Sequence, residues 1–313
     1  MEPIVRAALD EDIDQADRVL RLAFGTQEGL PDPMTVFGDR EMIRARWRGG
    51  TSTILVAELE SRVAGTASLT RWGSLGFVGR MGVDPAHQGA GVASAIMREA
   101  LRRFDSWAVT LVGLDTFPES PKHIHLYQKF GLWPRFLNAL MYKPVTMDAK
   151  TGDGVLLSTL SDQDQSSFIE ESRRLTETIY PGLDVSAEIR ATRALSLGDT
   201  IIVRRGSESL GFAVCHAGPG TEAGSGACFV KFGMVDPTRY PDQAFAELIR
   251  GCESYAAARG AEKITTSVST ARREAYRSML DHGFKLSSTK VAMASPDVFS
   301  YDRPGIYVLD RWS

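Results

Sequence analysis

The sequence has little cysteine, no excess of positive charge and no long apolar run, and each lack excludes a class of protein. Its three cysteines, Cys215, Cys228 and Cys252, are an odd number without CxxC spacing. This pattern does not fit a disulfide framework or a zinc site and favours reduced, buried thiols. No segment supplies the roughly 20 apolar residues that a membrane span needs. The net charge of −3 gives no attraction to nucleic acid or anionic lipid.

The N-terminal stretch also lacks the basic start and apolar run of a signal peptide. We therefore expect a cytoplasmic protein with neither a nucleic acid nor a membrane as partner. The length of 313 residues suggests two domains, since a domain has roughly 150 residues.

A repeat with an offset of 152 residues runs through the sequence. It recurs at the Val-Asp-Pro triplets that begin at Val83 and Val235, at the glycines Gly131 and Gly283, and at the aspartates Asp10 and Asp12, which correspond to Asp162 and Asp164. A polar stretch with glycine and proline separates the copies around residues 144–154. The repeat predicts two related domains, 1–147 and 148–313.

Hydrophobic periodicity predicts the same order of elements in each copy. In the first copy this order is a strand at 4–8, a helix at 13–24, a hairpin at 54–69, a strand at 77–83, a helix at 92–104, a strand at 108–114, a helix at 122–130 and a strand at 139–142. Strands and helices in this order indicate an α/β fold with a mixed sheet.

The sequence Gln88-Gly89-Ala90-Gly91 joins a predicted strand to a predicted helix. A helix N-terminus leaves backbone amides unpaired and favours an anion, and glycines let those amides approach it closely. The turn lacks the Lys-Ser/Thr of a Walker loop and is not GxGxxG. Taken alone, it is either a phosphate site or only a tight corner.

Gly79 and Gly82 lie inside the preceding predicted strand. Glycine within a strand marks a bulge or a close backbone approach. A bulge here would splay this strand from its neighbour and open an edge to which an amide-bearing ligand could bind.

These motifs resemble those of the GNAT N-acetyltransferase superfamily. Residues 88–93 resemble the family's Q/R-x-x-G-x-G/A motif, and residues 126–132, LYQKFGL, resemble its LYxxxGF signature. The resemblance covers most of residues 1–147 and, with the repeat, implies tandem GNAT-like domains with acetyl-CoA as cosubstrate. His123 and His125 are two residues apart, a poor helical spacing for a shared metal, and this half has no cysteine, so we expect no metal. The implied acetyl-CoA site consists of Met81, Gly82, Val83, Gln88, Gly89, Ala90, Gly91, Val92, Ala93, Ser94 and Ser120. Ser120 stands where many members carry asparagine.

The resemblance also implies catalytic roles for Tyr127 and Asp115. Tyr127 occupies the position of the general acid toward the CoA sulfur, and its alternative is a tyrosine at the edge of the core. Asp115 lies where some members carry a glutamate base, and its alternative is a capping or loop carboxylate. The expected reaction is direct attack of a small-molecule or peptide amine on acetyl-CoA in a ternary complex. A non-catalytic acyl-CoA sensor or scaffold and an acyltransferase with another acyl-CoA are the alternatives.

The second copy lacks these chemical groups. With the offset of 152, Gln88, Gly91, Asp115 and Tyr127 correspond to Tyr240, Gln243, Ser267 and Met279. We therefore expect a degenerate domain without the pyrophosphate motif, which completes a sheet, covers the acceptor cleft or mediates dimerisation. The assembly is then a monomer with pseudo-twofold tandem domains or a homodimer.

Acidic residues before the hairpin are candidates for the acceptor site. They are Glu28, Asp32, Asp39 and Glu41. They either attract a cationic amine or are solvated loop charges.

Overall fold

The protein is described here by a computed structural model that covers residues 2–146, 154–296 and 301–312. The expected domain boundary between residues 147 and 148 lies outside these ranges.

Thirteen strands and eight α-helices make up the described chain. The strands are β1 (Ile4–Ala7), β2 (Ser52–Leu59), β3 (Arg62–Trp72), β4 (Leu75–Val83), β5 (Leu111–Thr116), β6 (Trp133–Pro144), β7 (Val155–Leu156), β8 (Gly198–Arg205), β9 (Glu208–Gly218), β10 (Gly224–Val235), β11 (Lys263–Ser269), β12 (Lys285–Ser295) and β13 (Tyr307–Asp310). The helices are α1 (Ile13–Gln27), α2 (Arg44–Gly49), α3 (Val92–Ser106), α4 (Pro121–Gln128), α5 (Asp162–Ile179), α6 (Ser186–Ala194), α7 (Pro241–Ala258) and α8 (Arg273–Asp281). The predicted strand and helix order of the first copy is confirmed, and the short helix α2 was not predicted.

The described strands form one mixed sheet, as the α/β prediction requires. Its order is β1-β2-β3-β4-β5-β12-β6-β11-β10-β9-β8-β7, with β13 on β10. This order is symmetric about the central β12–β6 pair, because each strand of the first half has its counterpart at the same distance on the other side.

The two halves exchange strands β6 and β12 at the centre of the sheet. β12 pairs with β5 of the first half, and β6 pairs with β11 of the second half. The halves are therefore joined by continuous backbone hydrogen bonds.

Aromatic residues of both halves pack together beneath the centre of the sheet. Trp72 and Phe77 of the first half share one buried cluster with Phe212, Phe232 and Trp312 of the second half. Separate clusters lie under α3, under α1 and under α7. Buried apolar area is the main source of folding free energy, so the shared cluster stabilises the halves as one unit.

A buried ion network also connects the halves. Arg46 of α2 contacts Glu222 at 2.6 Å, and Lys231 contacts Glu222 at 2.5 Å and Glu188 at 2.9 Å. Burial opposes ionisation of Glu222, but Arg46 and Lys231 outweigh it and hold the pKa of Glu222 well below its usual value.

The three cysteines are buried free thiols, as predicted. In the parts of the chain that the structure covers, every helix is too short or too polar to traverse a bilayer.

Candidate active site

Strands β4 and β5 separate partway along their length. They pair in parallel only from Leu75 with Leu111 to Val78 with Leu114, although β4 continues to Val83. On its other side, β4 carries a bulge opposite β3, where the register shifts between Ala67 and Leu69. The bulge predicted from the glycines is therefore present, and the second half of β4 borders an open cleft.

The glycine turn leads from the end of β4 into α3. Gly89 and Gly91 have φ values of +85° and +81°, and a Cβ at either position would meet nothing within 4 Å. These glycines are therefore required by the backbone conformation rather than by crowding.

Some backbone amides of the turn donate hydrogen bonds within the protein, and others lie before the first hydrogen bond of the helix. The Gln88 amide donates to the Pro85 carbonyl oxygen at 3.4 Å, and the Ala90 amide donates to that of His87 at 3.3 Å. The first bond of α3 runs from the Ala95 amide to the Gly91 carbonyl oxygen. The amides of residues 92–94 therefore lie before the first helical bond, where a helix N-terminus binds anions.

One cavity of about 580 Å³ connects the turn with the β4–β5 cleft. It brings together nearly all of the predicted site residues: Met81, Gly82, Val83, Gln88, Gly89, Gly91, Val92, Ala93, Ser94, Asp115 and Tyr127. Ala90 is exposed at the surface of the turn. Ser120 is buried at the start of α4, where its carbonyl oxygen accepts from the amides of His123 and Ile124. Neither of these two residues lines the cavity.

Asp115 is held by a single hydrogen bond in the cavity wall. Its Oδ1 accepts from Asn138 Nδ2 at 2.7 Å, and its Oδ2 is buried without a hydrogen-bond partner in the described chain. Burial raises the pKa of Asp115 to about 7, although the Asn138 hydrogen bond lowers it. A carboxyl with this pKa exchanges protons near neutral pH, which suits a general base.

Tyr127 lies on α4 in the same cavity wall. Its side chain is buried, and burial raises the pKa of its phenol above the usual value near 10. The phenol therefore stays protonated at neutral pH and is available as a hydrogen-bond donor.

Several cavity residues were not predicted from the sequence. Arg80 lies on β4, Arg40 follows α1, and Ser288, Lys290 and Arg311 come from the second half of the chain. A charged residue in the otherwise apolar stretch FVGRMGV was the available signal for Arg80. The second-half residues gave no signal, because the exchange of β12 brings Ser288 and Lys290 here, and Arg311 follows β13.

The acidic residues before the hairpin have different locations. Glu28 lines the cavity. Asp32 accepts a hydrogen bond from the Met34 amide, and Asp39 accepts hydrogen bonds from the amide and hydroxyl of Ser225. Asp32 therefore stabilises a local turn, and Asp39 joins the two halves.

The described ranges contain no group of three or more His, Cys, Asp or Glu residues arranged to hold a metal ion.

Comparisons with known proteins identify the fold and the first domain. Residues 21–132 match the model of the acetyltransferase (GNAT) family. A putative acetyltransferase from Pyrococcus horikoshii aligns at 15% identity and a TM-score of 0.69, over 100% of this chain and 95% of that one. No curated protein matches the sequence at a significant level.

Two further solved structures also align along nearly the whole chain. A GCN5-related N-acetyltransferase from Sphaerobacter thermophilus aligns at 14% identity and a TM-score of 0.55, over 94% of this chain and 95% of that one. A tandem GNAT protein from the clavulanic acid biosynthesis pathway aligns at 12% identity and a TM-score of 0.56, over 94% and 98% of the two chains.

The chain thus has the tandem arrangement of acyl-CoA N-acyltransferase folds. Residues 21–132 of its first half match the GNAT acetyltransferase family model, so the predicted resemblance is confirmed over those residues. Family and fold together support an N-acetyltransferase in general.

Proposed function

We propose that this protein is an acetyl-CoA-dependent N-acetyltransferase. Its first domain, residues 1–147, carries the active site, and its second domain, residues 148–313, is a degenerate copy. The observation that carries the proposal is the single cavity that contains the glycine turn, the open edge of β4, Asp115 and Tyr127. One end of this cavity suits a pyrophosphate and the other suits acid-base chemistry.

The residues present fit acetyl-CoA. The turn glycines leave open space at the start of α3, where backbone amides favour an anionic pyrophosphate. The edge of β4 from Met81 to Val83 offers peptide groups to the amides of pantetheine in the manner of an added strand. When bound, acetyl-CoA supplies an activated acyl group.

Asp115 and Tyr127 have complementary roles in the proposed reaction. The Asp115 carboxylate takes a proton from the incoming ammonium, directly or through a water molecule, and gives a neutral amine. As the new C–N bond forms and the C–S bond breaks, the phenol of Tyr127 donates its proton to the departing sulfur. The proton that the nitrogen loses on becoming an amide restores the phenol, so the products are the acetylated amine and the free CoA thiol. The amide of Met81 or Gly82 is the candidate oxyanion donor.

The part of the second domain that the structure describes lacks an equivalent cleft for a cosubstrate. The pairing of β10 with β11, from Ala227 with Lys263 onward, repeats that of β4 with β5 at the offset of 152. However, residues 232–235 of β10, which correspond to residues 80–83, pair with β13. The C-terminal strand thus occupies the edge that remains open in the first domain.

The glycine turn is also lost in the second domain. Helix α7 begins at Pro241 after Tyr240, which has a left-handed conformation. Five residues separate β10 from α7, whereas eight separate β4 from α3, and α7 is longer by the same three residues. The loop that would surround a pyrophosphate is therefore wound into helix, and proline at the first helical position has no amide to offer. This supports a single acetyl-CoA site in each chain.

Incubation with acetyl-CoA and a panel of primary amines tests the proposed function. We expect amine-dependent release of free CoA thiol and a product heavier by one acetyl group, measured by thiol titration and mass spectrometry. The variant Asp115→Asn should release thiol far more slowly. If the protein binds acetyl-CoA but no amine causes thiol release, the proposed activity is contradicted and a non-catalytic acyl-CoA sensor is favoured instead.

A further inference from the structure

Arg80 is a buried cation that forms no ion pair with any residue that the structure describes. Its side chain is about nine-tenths buried, and its Nε and Nη1 have no hydrogen-bond partner among the described residues. Two other buried arginines each have a carboxylate, since Arg46 contacts Glu222 at 2.6 Å and Arg272 contacts Asp310 at 2.7 Å. Burying an unpaired charge is costly, so the position of Arg80 calls for an anion that the described residues do not provide.

The missing anion belongs in the cavity, because Arg80 lines it. The Arg80 guanidinium lies 5.2 Å from the centroid of the Phe37 ring, and the Arg40 guanidinium lies 5.6 Å from the same centroid. Arg40 and Arg311 also line the cavity. Its lining contains six Lys or Arg residues and only two carboxylates, Glu28 and Asp115, so its net charge is positive.

Arg80 is separate from the pyrophosphate turn. Met81 and Val83 pack on the cluster under α3, whereas Phe37 belongs to the cluster under α1. Neighbouring residues of a strand point to opposite faces, so Arg80 faces the α1 side and the turn leads to the α3 side. The anion that Arg80 requires is therefore not the pyrophosphate.

The cations Arg311 and Lys290 also lie near Asp115, the proposed base. Burial and then the charge of Arg40 lower the pKa of Arg311, the charge of Asp115 opposes them, and the resulting pKa is about 10. The charges of Arg40 and Asp115 therefore both act on the Arg311 guanidinium. Lys290, whose Nζ lies 3.3 Å from the centroid of the Phe117 ring, lines the same region.

We infer that the acceptor is an amine that also carries an anionic group, a carboxylate or a phosphate monoester, which pairs with Arg80 while the amine lies at Asp115. This inference rests on the proposed N-acetyltransferase activity and names its substrate class. The guanidinium of Arg80 has the planar fork that binds either anion through two parallel hydrogen bonds. The acidic loop residues therefore do not select a purely cationic amine.

Matched acceptor series test this assignment. The first contains ω-amino carboxylates of increasing chain length, the second contains aminoalkyl phosphates, and each compound is compared with the alkylamine of the same length. We expect the wild-type kcat/KM to favour one anionic series by about tenfold or more, since hydrogen bonds to a charged group are worth about 1.5–3 kcal/mol. The preferred series identifies the anion. Equal values for all three series would overturn the inference.

Variants of Arg80 make the test specific. Arg80→Met should reduce the preference to within about twofold, whereas Arg80→Lys should retain part of it because the charge remains without the planar fork. Arg62→Met, at an exposed position of β3 away from the cavity, should keep the full preference. A full preference in Arg80→Met would contradict the assignment. Because Arg80→Met removes an unpaired buried cation, its melting temperature should not fall below that of the wild type.

A binding measurement separates this inference from the proposed function. The amino carboxylates and aminoalkyl phosphates are titrated calorimetrically into wild type and Arg80→Met, both saturated with CoA. Binding that depends on Arg80 without thiol release from any amine would uphold the anion site and reject the acetyltransferase. Acetyl transfer without any preference for an anionic acceptor would uphold the acetyltransferase and reject the anion site.

Discussion

At the scale of single residues, burial raises the pKa of both Asp115 and Tyr127, with different consequences. The pKa of Asp115 moves to about 7, which brings the carboxyl into the range where a base works. The pKa of Tyr127 moves further above neutrality, which keeps the phenol protonated. Burial in one cavity wall therefore provides a proton acceptor and a hydrogen-bond donor in the same cavity.

The pH dependence of turnover tests the role of Asp115. Only the ionised carboxylate accepts a proton, so kcat/KM should rise as the pH rises through about 7. Asp115→Asn should lower kcat/KM by about 10² to 10⁴ and should lose this pH dependence. The exposed Glu119→Gln serves as control and should keep both. A wild-type pH profile that persists in Asp115→Asn would remove Asp115 from the base role.

Tyr127→Phe separates chemistry from binding. The phenylalanine ring preserves the buried packing but cannot donate to the sulfur. We expect kcat to fall by about 10², while the affinity for acetyl-CoA, measured by calorimetry, changes by less than about twofold. Tyr276→Phe, on the second-half cluster, is the matched control. An unchanged kcat in Tyr127→Phe would show that the tyrosine only fills space.

Arg80 shows what residue patterns leave undetermined. The glycines around it predicted a bulge, which is present, because glycine acts locally through its backbone freedom. The residues around Arg80 in the cavity are Phe37, Arg40 and Arg311. They are distant from Arg80 in the sequence, so a local pattern does not predict them. Alternation along a strand gives the face of a side chain but not its neighbours.

At the scale of elements, the sequence repeat predicted the order of strands and helices well. It did not predict the pairing of β12 with β5 or of β13 with β10, because a strand pattern does not specify its partner. The loss of the second glycine turn was readable from Pro241. The added helical residues in α7 were not, because the equal spacing of Asp84 to Gly131 and Asp236 to Gly283 conceals the conversion of loop into helix.

The residues after β13 should be important for stability. The Trp312 ring lies 4.8 Å from that of Phe77 and fills the space above Gly113, where a Cβ would approach the indole to 2.4 Å. Trp312→Ala should lower the free energy of unfolding by about 3–5 kcal/mol, measured by urea denaturation. Leu286→Ala, at a side chain that is 47% exposed, should change it by less than about 0.5 kcal/mol. A loss below about 1 kcal/mol in Trp312→Ala would mean that the C-terminal residues do not stabilise the fold.

At the scale of the whole molecule, the second half is part of the first half's site. It completes the sheet through β12, and it contributes Ser288, Lys290 and Arg311 to the cavity wall. One of the roles anticipated from the sequence, sheet completion, thus agrees with the strand exchange, and the covering of the acceptor cleft stays a prediction. The tandem arrangement consequently provides one cavity whose wall is built from both copies.

A calorimetric titration with CoA tests this central claim most directly. We predict one CoA per chain for the wild type, because β13 pairs with the equivalent edge of the second half. Gly91→Leu, at φ +81°, should abolish binding by distorting the turn. Gly206→Leu, at φ +63° with equally open surroundings, is the matched control and should bind like the wild type. Two CoA molecules per chain, or an undiminished affinity in Gly91→Leu, would contradict the account.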